Sequence, residues 1–233
     1  MSGKTQSGSA PLVWDLPTRL FHWGFVAAVA IAWMSGEKKM LSVHQWAGGI
    51  ALTLVLFRLM WGLVGGHYAR FTTFLTGPGP VLHHLTDLLR PGRLSPEAGH
   101  NPMGGWMVIV LLGLIATQAT LGLFTDDDIV FVGPLGPLVS YDLRLRLTAI
   151  HEIAGKLILL AILLHVGAIL FYKLIKKRNL VPAMVTGRDA ELDAAHLPPE
   201  PARQGSPALA LILFAVAGAI VAIAMLVAPK WLG

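Results

Sequence analysis

HEIAGKLILLAILLH, residues 151–165, places two histidines at the ends of an almost uninterrupted apolar run. Read as a helix, the run separates His151 from His165 by roughly 21 Å of rise, and steps of about 100° bring both rings out on one face. An ionisable residue within an apolar span is costly, and it faces a bundle interior or a functional site. Two on one face, one toward each side of a bilayer, point to two stacked cofactors or to a proton path. The plain alternative is a pair of histidines hydrogen-bonded to neighbouring helices.

The whole chain shares this character. It is 55% hydrophobic and 13% charged, with a mean hydropathy of +0.65, whereas soluble domains carry about 25% charged residues. These values describe a membrane protein. Cysteine is absent, which excludes disulfides, zinc ribbons, iron–sulfur clusters and thioether-linked haem, and leaves histidine, methionine and carboxylate as ligands.

Five stretches are long enough to span a bilayer, at 18–36, 44–65, 103–124, 147–175 and 207–228. The polar N-terminal MSGKTQSGSAPL, with no small-residue cleavage pattern after the first apolar stretch, marks that stretch as a retained helix rather than a signal peptide. With the N-terminus inside, Lys4, Arg19, Arg70, Arg90, Arg93, Lys173, Lys176, Lys177, Arg178, Arg188 and Arg203 lie inside. Lys38, Lys39, Arg144, Arg146 and Lys230 lie outside, the asymmetry that the positive-inside rule expects. Trp14, Trp23, Trp33, Trp46, Trp61, Trp106 and Trp231 fall near the proposed boundaries, where amphipathic rings concentrate. The net charge of +5 sits in juxtamembrane loops and reads as membrane orientation, not nucleic-acid binding.

Depth joins the first two helices to the fourth. From His22 to the end of the first helix is roughly 20 Å, so His22 and His44 differ in depth by about as much as His165 and His151. The fourth helix runs back across the membrane, which pairs His22 with His165 on the inner side and His44 with His151 on the outer. A tetrahedral zinc site wants four ligands at one level, while two opposed pairs suit bis-histidine axial ligation of two haems. Imidazole also suits copper and nickel, so the ligands alone do not name the metal. Arg58 stands fourteen residues after His44, near the inner level, where with Arg19 it either neutralises haem propionates or snorkels to lipid headgroups.

Other residues carry plainer expectations. Gly48, Gly49 and Gly155 allow a flat macrocycle or a neighbouring backbone to approach, with packing the commoner use. The third helix has no histidine and reads as a wall, with Gln118 and Thr120 available to bond across helices. Lys156 points away from both His151 and His165. GPGPVLHHLTDLLRPG, residues 77–92, predicts an interfacial amphipathic helix. His67, His83, His84 and His100 read as surface histidines. Asp126, Asp127 and Asp128 open an outer loop and either steer a basic partner or form a solvated turn. The charged, proline-rich 176–206 segment, with His196, reads as an inner linker.

Four motifs in order, WDLPTRLFHW, HQWAGG with RLMWG, GHNPMGGWM, and HEIAGK with LLH, cover residues 12–175 and resemble the bacterial cytochrome b561 family and the b-type cytochrome subunits of nickel–iron hydrogenases. The resemblance implies an all-α membrane protein. Its residues 1–176 would form a four-helix bundle binding two haems b through His22, His44, His151 and His165; the linker at 177–206 and the fifth transmembrane helix at 207–233, read from the residues, lie outside that core. NLVPAMVTGRD is similar to a recurrent tail of members outside the hydrogenase context. The implied activity is electron transfer between membrane quinone and a redox partner such as a periplasmic cytochrome c, in a bacterial inner membrane. A superoxide:quinone oxidoreductase and a hydrogenase-anchoring subunit stay open within that class. From another class, a histidine-relay proton or ion transporter competes, although a gap of about four turns between His151 and His165 is long for hand-over.

Overall fold

The computed structural model describes residues 10–192, 197 and 202–227; Lys4, His196, Lys230 and Trp231 lie outside the described residues. All five apolar stretches are helical where described. They form α1 (Leu16–Glu37), α2 (Leu41–Val64), α5 (Pro102–Gly122), α6 (Tyr141–Leu174) and α8 (Pro207–Ala222), the last continuing as a π-helical turn over Ile223–Val227. Three short helices lie between them: α3 (Phe71–Phe74), α4 (Pro78–Leu89) and α7 (Val181–Thr186).

Local chemistry fixes the starts. Asp15 accepts the Thr18 N–H at 2.9 Å and Asn101 the Gly104 N–H at 2.7 Å, each followed closely by a proline whose missing N–H costs the first turn nothing. Ser140 caps α6, which therefore begins six residues before the expected 147. Its first turns carry Arg144 and Arg146, which precede the expected span. At 34 residues α6 is about 51 Å long and outruns a hydrocarbon core of about 30 Å.

Among the described residues four helices are long and apolar enough to cross a membrane: Leu41–Val64, Pro102–Gly122, Tyr141–Leu174 and Pro207–Leu226. The multi-pass membrane character follows from these. α1 has the length, with 22 residues, but Arg19, His22 and Glu37 dilute its apolar content and it is not among the four.

The core follows the seam of α1 and α2, where Phe21, Ala28, Ala51, Leu54, Val55, Phe57 and Trp61 are buried together. α5 packs on α2, and α6 on α5. α8 lies along α2, burying Ala210 and Ala217 against the same cluster and Val221 and Met225 beside Leu52. A Cβ on Gly49 would run into Met225, so this glycine serves helix packing, whereas Gly48 has open space beside it. The approach to α8 is equally close: Gly205 lies against the Trp61 ring and the Asp15 carboxylate, and the His67 N–H donates to the Arg203 carbonyl at 2.8 Å.

The part of the expected linker up to Asp189 is folded against the chain's beginning. Val13 and Trp14 donate N–H groups to the Gly187 carbonyl, and Gly187 takes a φ of 85° that favours glycine at the C-terminus of α7. Val13, Trp14, Ala183 and Leu192 form a second buried cluster.

Candidate functional site

α1 and α2 stand on one side of the bundle and α6 on the other, joined through α5, and the four histidines occupy the intervening layer. At one end the rings of His44 and His151 face each other, with centroids 5.9 Å apart and planes at 81°. The backbone sets the tautomers. His44 Nδ1 is 2.8 Å from the Ala32 carbonyl and His151 Nδ1 is 3.0 Å from the Gln118 carbonyl; since a carbonyl only accepts, both Nδ1 atoms carry the proton and both Nε2 atoms keep a lone pair. Gln118 closes the assignment, because its side-chain N–H donates to His151 Nε2 at 3.0 Å. Such a carbonyl behind the ring is the usual arrangement for a metal-ligating histidine. Two helix-end glycines hold the rings in place: a Cβ on Gly36 would stand 3.0 Å from His44 Nδ1, and one on Gly122 3.1 Å from His151 Cε1.

At the other end His22 and His165 line one cavity of about 240 Å³. Its walls are apolar along the helices, with Met107, Val108, Leu111 and Ile169, and polar at the mouth, with His84, Glu97, Asn101, Tyr172 and Arg178. His22 Nδ1 is buried without a hydrogen-bond partner among the described residues, a polar atom that a packed apolar core would not keep. Among the described residues no three His, Asp or Glu side chains cluster for a metal ion.

Residues 13–187 match the family model of prokaryotic cytochrome b561. The chain belongs to that family. No curated protein and no solved structure gives a match. As a member of the prokaryotic cytochrome b561 family the chain is a membrane b-type cytochrome, a haem-binding electron-transfer protein.

The arginines of this cytochrome stand behind the cavity wall. Arg19 donates from NH1 to the Val185 carbonyl at 2.7 Å, bracing α7. Arg58, only 2% exposed, lies 5.0 Å from the Phe71 ring centre, and Phe74 separates it from His100. It does not snorkel. Neither arginine is among the described residues that line the cavity.

Two expectations are corrected. His84 and His100 are not surface histidines. His84 is 6% exposed and shares a 2.6 Å hydrogen bond with the Tyr172 hydroxyl; His100 is wedged between Trp14 and Phe74 and lines the cavity. Burial first, then the positive charge of Arg58 and the neighbouring His165 and His22 rings, push the His100 imidazole down to about 3. His83, by contrast, is exposed and pairs with Asp87 at 3.1 Å. The predicted helix around it is α4.

The acidic run is a structural device rather than a free charge patch. Asp126 is buried and pairs with Arg144 at 3.1 Å, and its backbone N–H donates to Thr148 Oγ1. Asp127 Oδ1 accepts the N–H groups of Ile129, Val130 and Phe131, which hold its carboxyl below the usual carboxylate range. Asp128 accepts from the Tyr141 hydroxyl. Tyr172, missed in the sequence, was signalled there: seven residues after His165 is almost two whole turns, on the same face.

Proposed function

We propose that this cytochrome carries electrons between the quinone pool and a redox partner on the opposite side of the bacterial inner membrane through two haems b. His22 with His165 would hold one and His44 with His151 the other. The observation that carries the reading is the His44–His151 pair. The ring centroids lie 5.9 Å apart, carbonyls behind the rings leave the lone pair on each Nε2, and the Gln118 N–H that now occupies the His151 lone pair would have to give way to a metal. The cavity between His22 and His165, with its orphaned Nδ1, supports a second group at the other level.

Bound haem b supplies one-electron chemistry at iron. The protein fixes imidazole orientation, excludes water by the apolar walls, and sets the second level within the same bundle. Five spans, α1 included, with the N-terminus inside, put the cavity toward the cytoplasm and the His44 pair toward the periplasm. The outer exchange surface is formed by residues 37–43 and 126–146. Its exposed charges include Lys38 and Lys39, while Asp126 is occupied in holding the loop.

The test is stoichiometry and its division. A pyridine haemochrome assay on purified protein should give two haems per chain, both extracted by acid acetone, and His165→Ala should remove one low-spin signal while His44→Ala removes the other. One haem per well-loaded chain overturns the pairing, as does loss of the same signal in both variants.

A further inference from the structure

α6 ends in a reversal that carries one cation back to the inner cavity. The helix closes at Leu174, Lys177 takes a left-handed φ of 57°, and the Arg178 N–H donates at 2.9 Å to the carbonyl of Tyr172, one and a half turns earlier. A lysine holds that conformation at a cost, which the returning hydrogen bond offsets. The Arg178 side chain, 9% exposed, joins the cavity wall shared by His22 and His165. Among the described residues lining that cavity it is the one arginine or lysine.

The protein uses only part of this guanidinium. Nη2 donates to Asp189 Oδ2 at 2.8 Å and to the Glu97 carbonyl at 3.4 Å, whereas Nη1 is buried without a hydrogen-bond partner among the described residues. A buried charged donor left unpaired is costly, so it points to an acceptor. The rest of the mouth is already engaged with itself. Asn101 accepts the Gly104 N–H at 2.7 Å and donates to the Tyr172 hydroxyl at 3.0 Å. That hydroxyl lies 2.6 Å from His84 Nε2, and His84 Nδ1 lies 3.3 Å from Glu97 Oε1. His22 Nδ1 and His100 Nδ1 are unpartnered as well, but an imidazole has no fixed charge.

We infer that Arg178 Nη1 anchors a propionate of the haem held between His22 and His165, turning the carboxylate edge of the macrocycle toward the polar mouth. This rests on the haem reading above and moves the anchor from Arg19 and Arg58, which lie behind the wall, to the cation in the wall. Guanidinium suits a carboxylate because its N–H groups form a planar fork that gives short, charge-assisted hydrogen bonds. Asp189 is a positioning residue: by taking Nη2 it fixes the plane of the fork and leaves Nη1 to the ligand. The apolar edge of the macrocycle is matched by Met107, Val108, Leu111 and Ile169 along the helices.

The test follows haem loss from haem-loaded protein in detergent to excess apomyoglobin, scoring the low-spin signal that His165→Ala removes. Arg178→Gln deletes the charge, Arg178→Lys keeps it without the fork, and Asp189→Asn keeps the guanidinium but removes its protein partner. Arg178→Gln should release that haem about tenfold or more faster, with the other haem unaffected. The propionate-bending band in resonance Raman spectra should shift in Arg178→Gln and stay in place in Asp189→Asn. A role confined to tying Asp189 to the end of α6 makes Asp189→Asn release haem as fast as Arg178→Gln, with the band unmoved. Either of those results overturns the anchor, as does release from Arg178→Gln at the wild-type rate. Should Arg178→Gln not assemble, the band of Arg178→Lys decides: a shift supports the anchor and an unmoved band overturns it. Wild-type protein without the haem that His165→Ala removes sinks the two-haem reading itself, whereas a loaded wild type with an indifferent Arg178→Gln sinks only the anchor.

Discussion

Replacing Asp126 by asparagine isolates one ion pair in the loop after α5. The carboxylate is 3.1 Å from Arg144 NH1, with side-chain exposures of 8% and 20%. Its other oxygen accepts the Asp128 N–H at 2.9 Å, a bond that an asparagine carbonyl preserves. Two unit charges at this range attract by about 4 kcal/mol at an effective dielectric of 20, and desolvation offsets much of it. Removing one partner of a fully buried pair costs about 3–5 kcal/mol. Arg144 keeps some water and lies 5.7 Å over the Tyr141 ring, so the expected loss is about 2–3 kcal/mol. At roughly 2–4 °C per kcal/mol for a chain of this size, the melting temperature in detergent should fall by about 5–10 °C. The assay is thermal unfolding of wild type, Asp126→Asn, Arg144→Met and the double variant, read as a cycle with a coupling of about 1 kcal/mol or more. Additive losses, or an Asp126→Asn protein as stable as wild type that loses a salt-dependent reaction with a partner, would refute the structural role and restore the steering one.

Ala217 is fully buried where α8 meets α2, so Ala217→Leu overpacks that seam by about 1–3 kcal/mol. Limited proteolysis should then cut the 202–206 approach while the haem spectrum persists, and unchanged cleavage would argue that α8 is held elsewhere. His100 titrates near 3 in the folded chain against 6.5 for an ordinary imidazole. Its folded value is depressed, so its contribution is fully present above pH 6.5 and is lost as pH falls toward 3, at up to about 1.4 kcal/mol per unit. Acid unfolding of His100→Gln should be shallower over that window, and an identical slope refutes burial as the cause.

Much of the fold was legible because apolar runs and cap residues are local. The 151–165 spacing predicts two rings on one face of α6, and counting depth along α1 and α2 predicts their partners; the structure sets His44 beside His151 and gives His22 and His165 one cavity. Gln118 was read as a cross-helix bond donor and is one, to His151. What escaped depends on partners distant in sequence. His84 becomes buried because Tyr172, 88 residues on, stands beneath it, and Asp126 because Arg144 reaches it from a helix that Ser140 starts early. No periodicity around a single residue reveals such a neighbour. For Arg58 the sequence left a propionate partner and a lipid headgroup both open, because its sequence neighbours do not include Phe71 and Phe74, which cover it.

The seat of Gly205 against Trp61 and Asp15 bears on how the molecule is made. Chains are synthesised from the N-terminus, so α8 is the last described span to reach the membrane. Its approach fits only between a cap that begins α1 and a ring near the end of α2, surfaces brought together when those first two helices have paired. A chain with α1 and α2 misaligned offers Gly205 no slot, and the fifth apolar helix stays undocked in the bilayer. Docking of α8 thereby depends on the earlier pairing of α1 with α2.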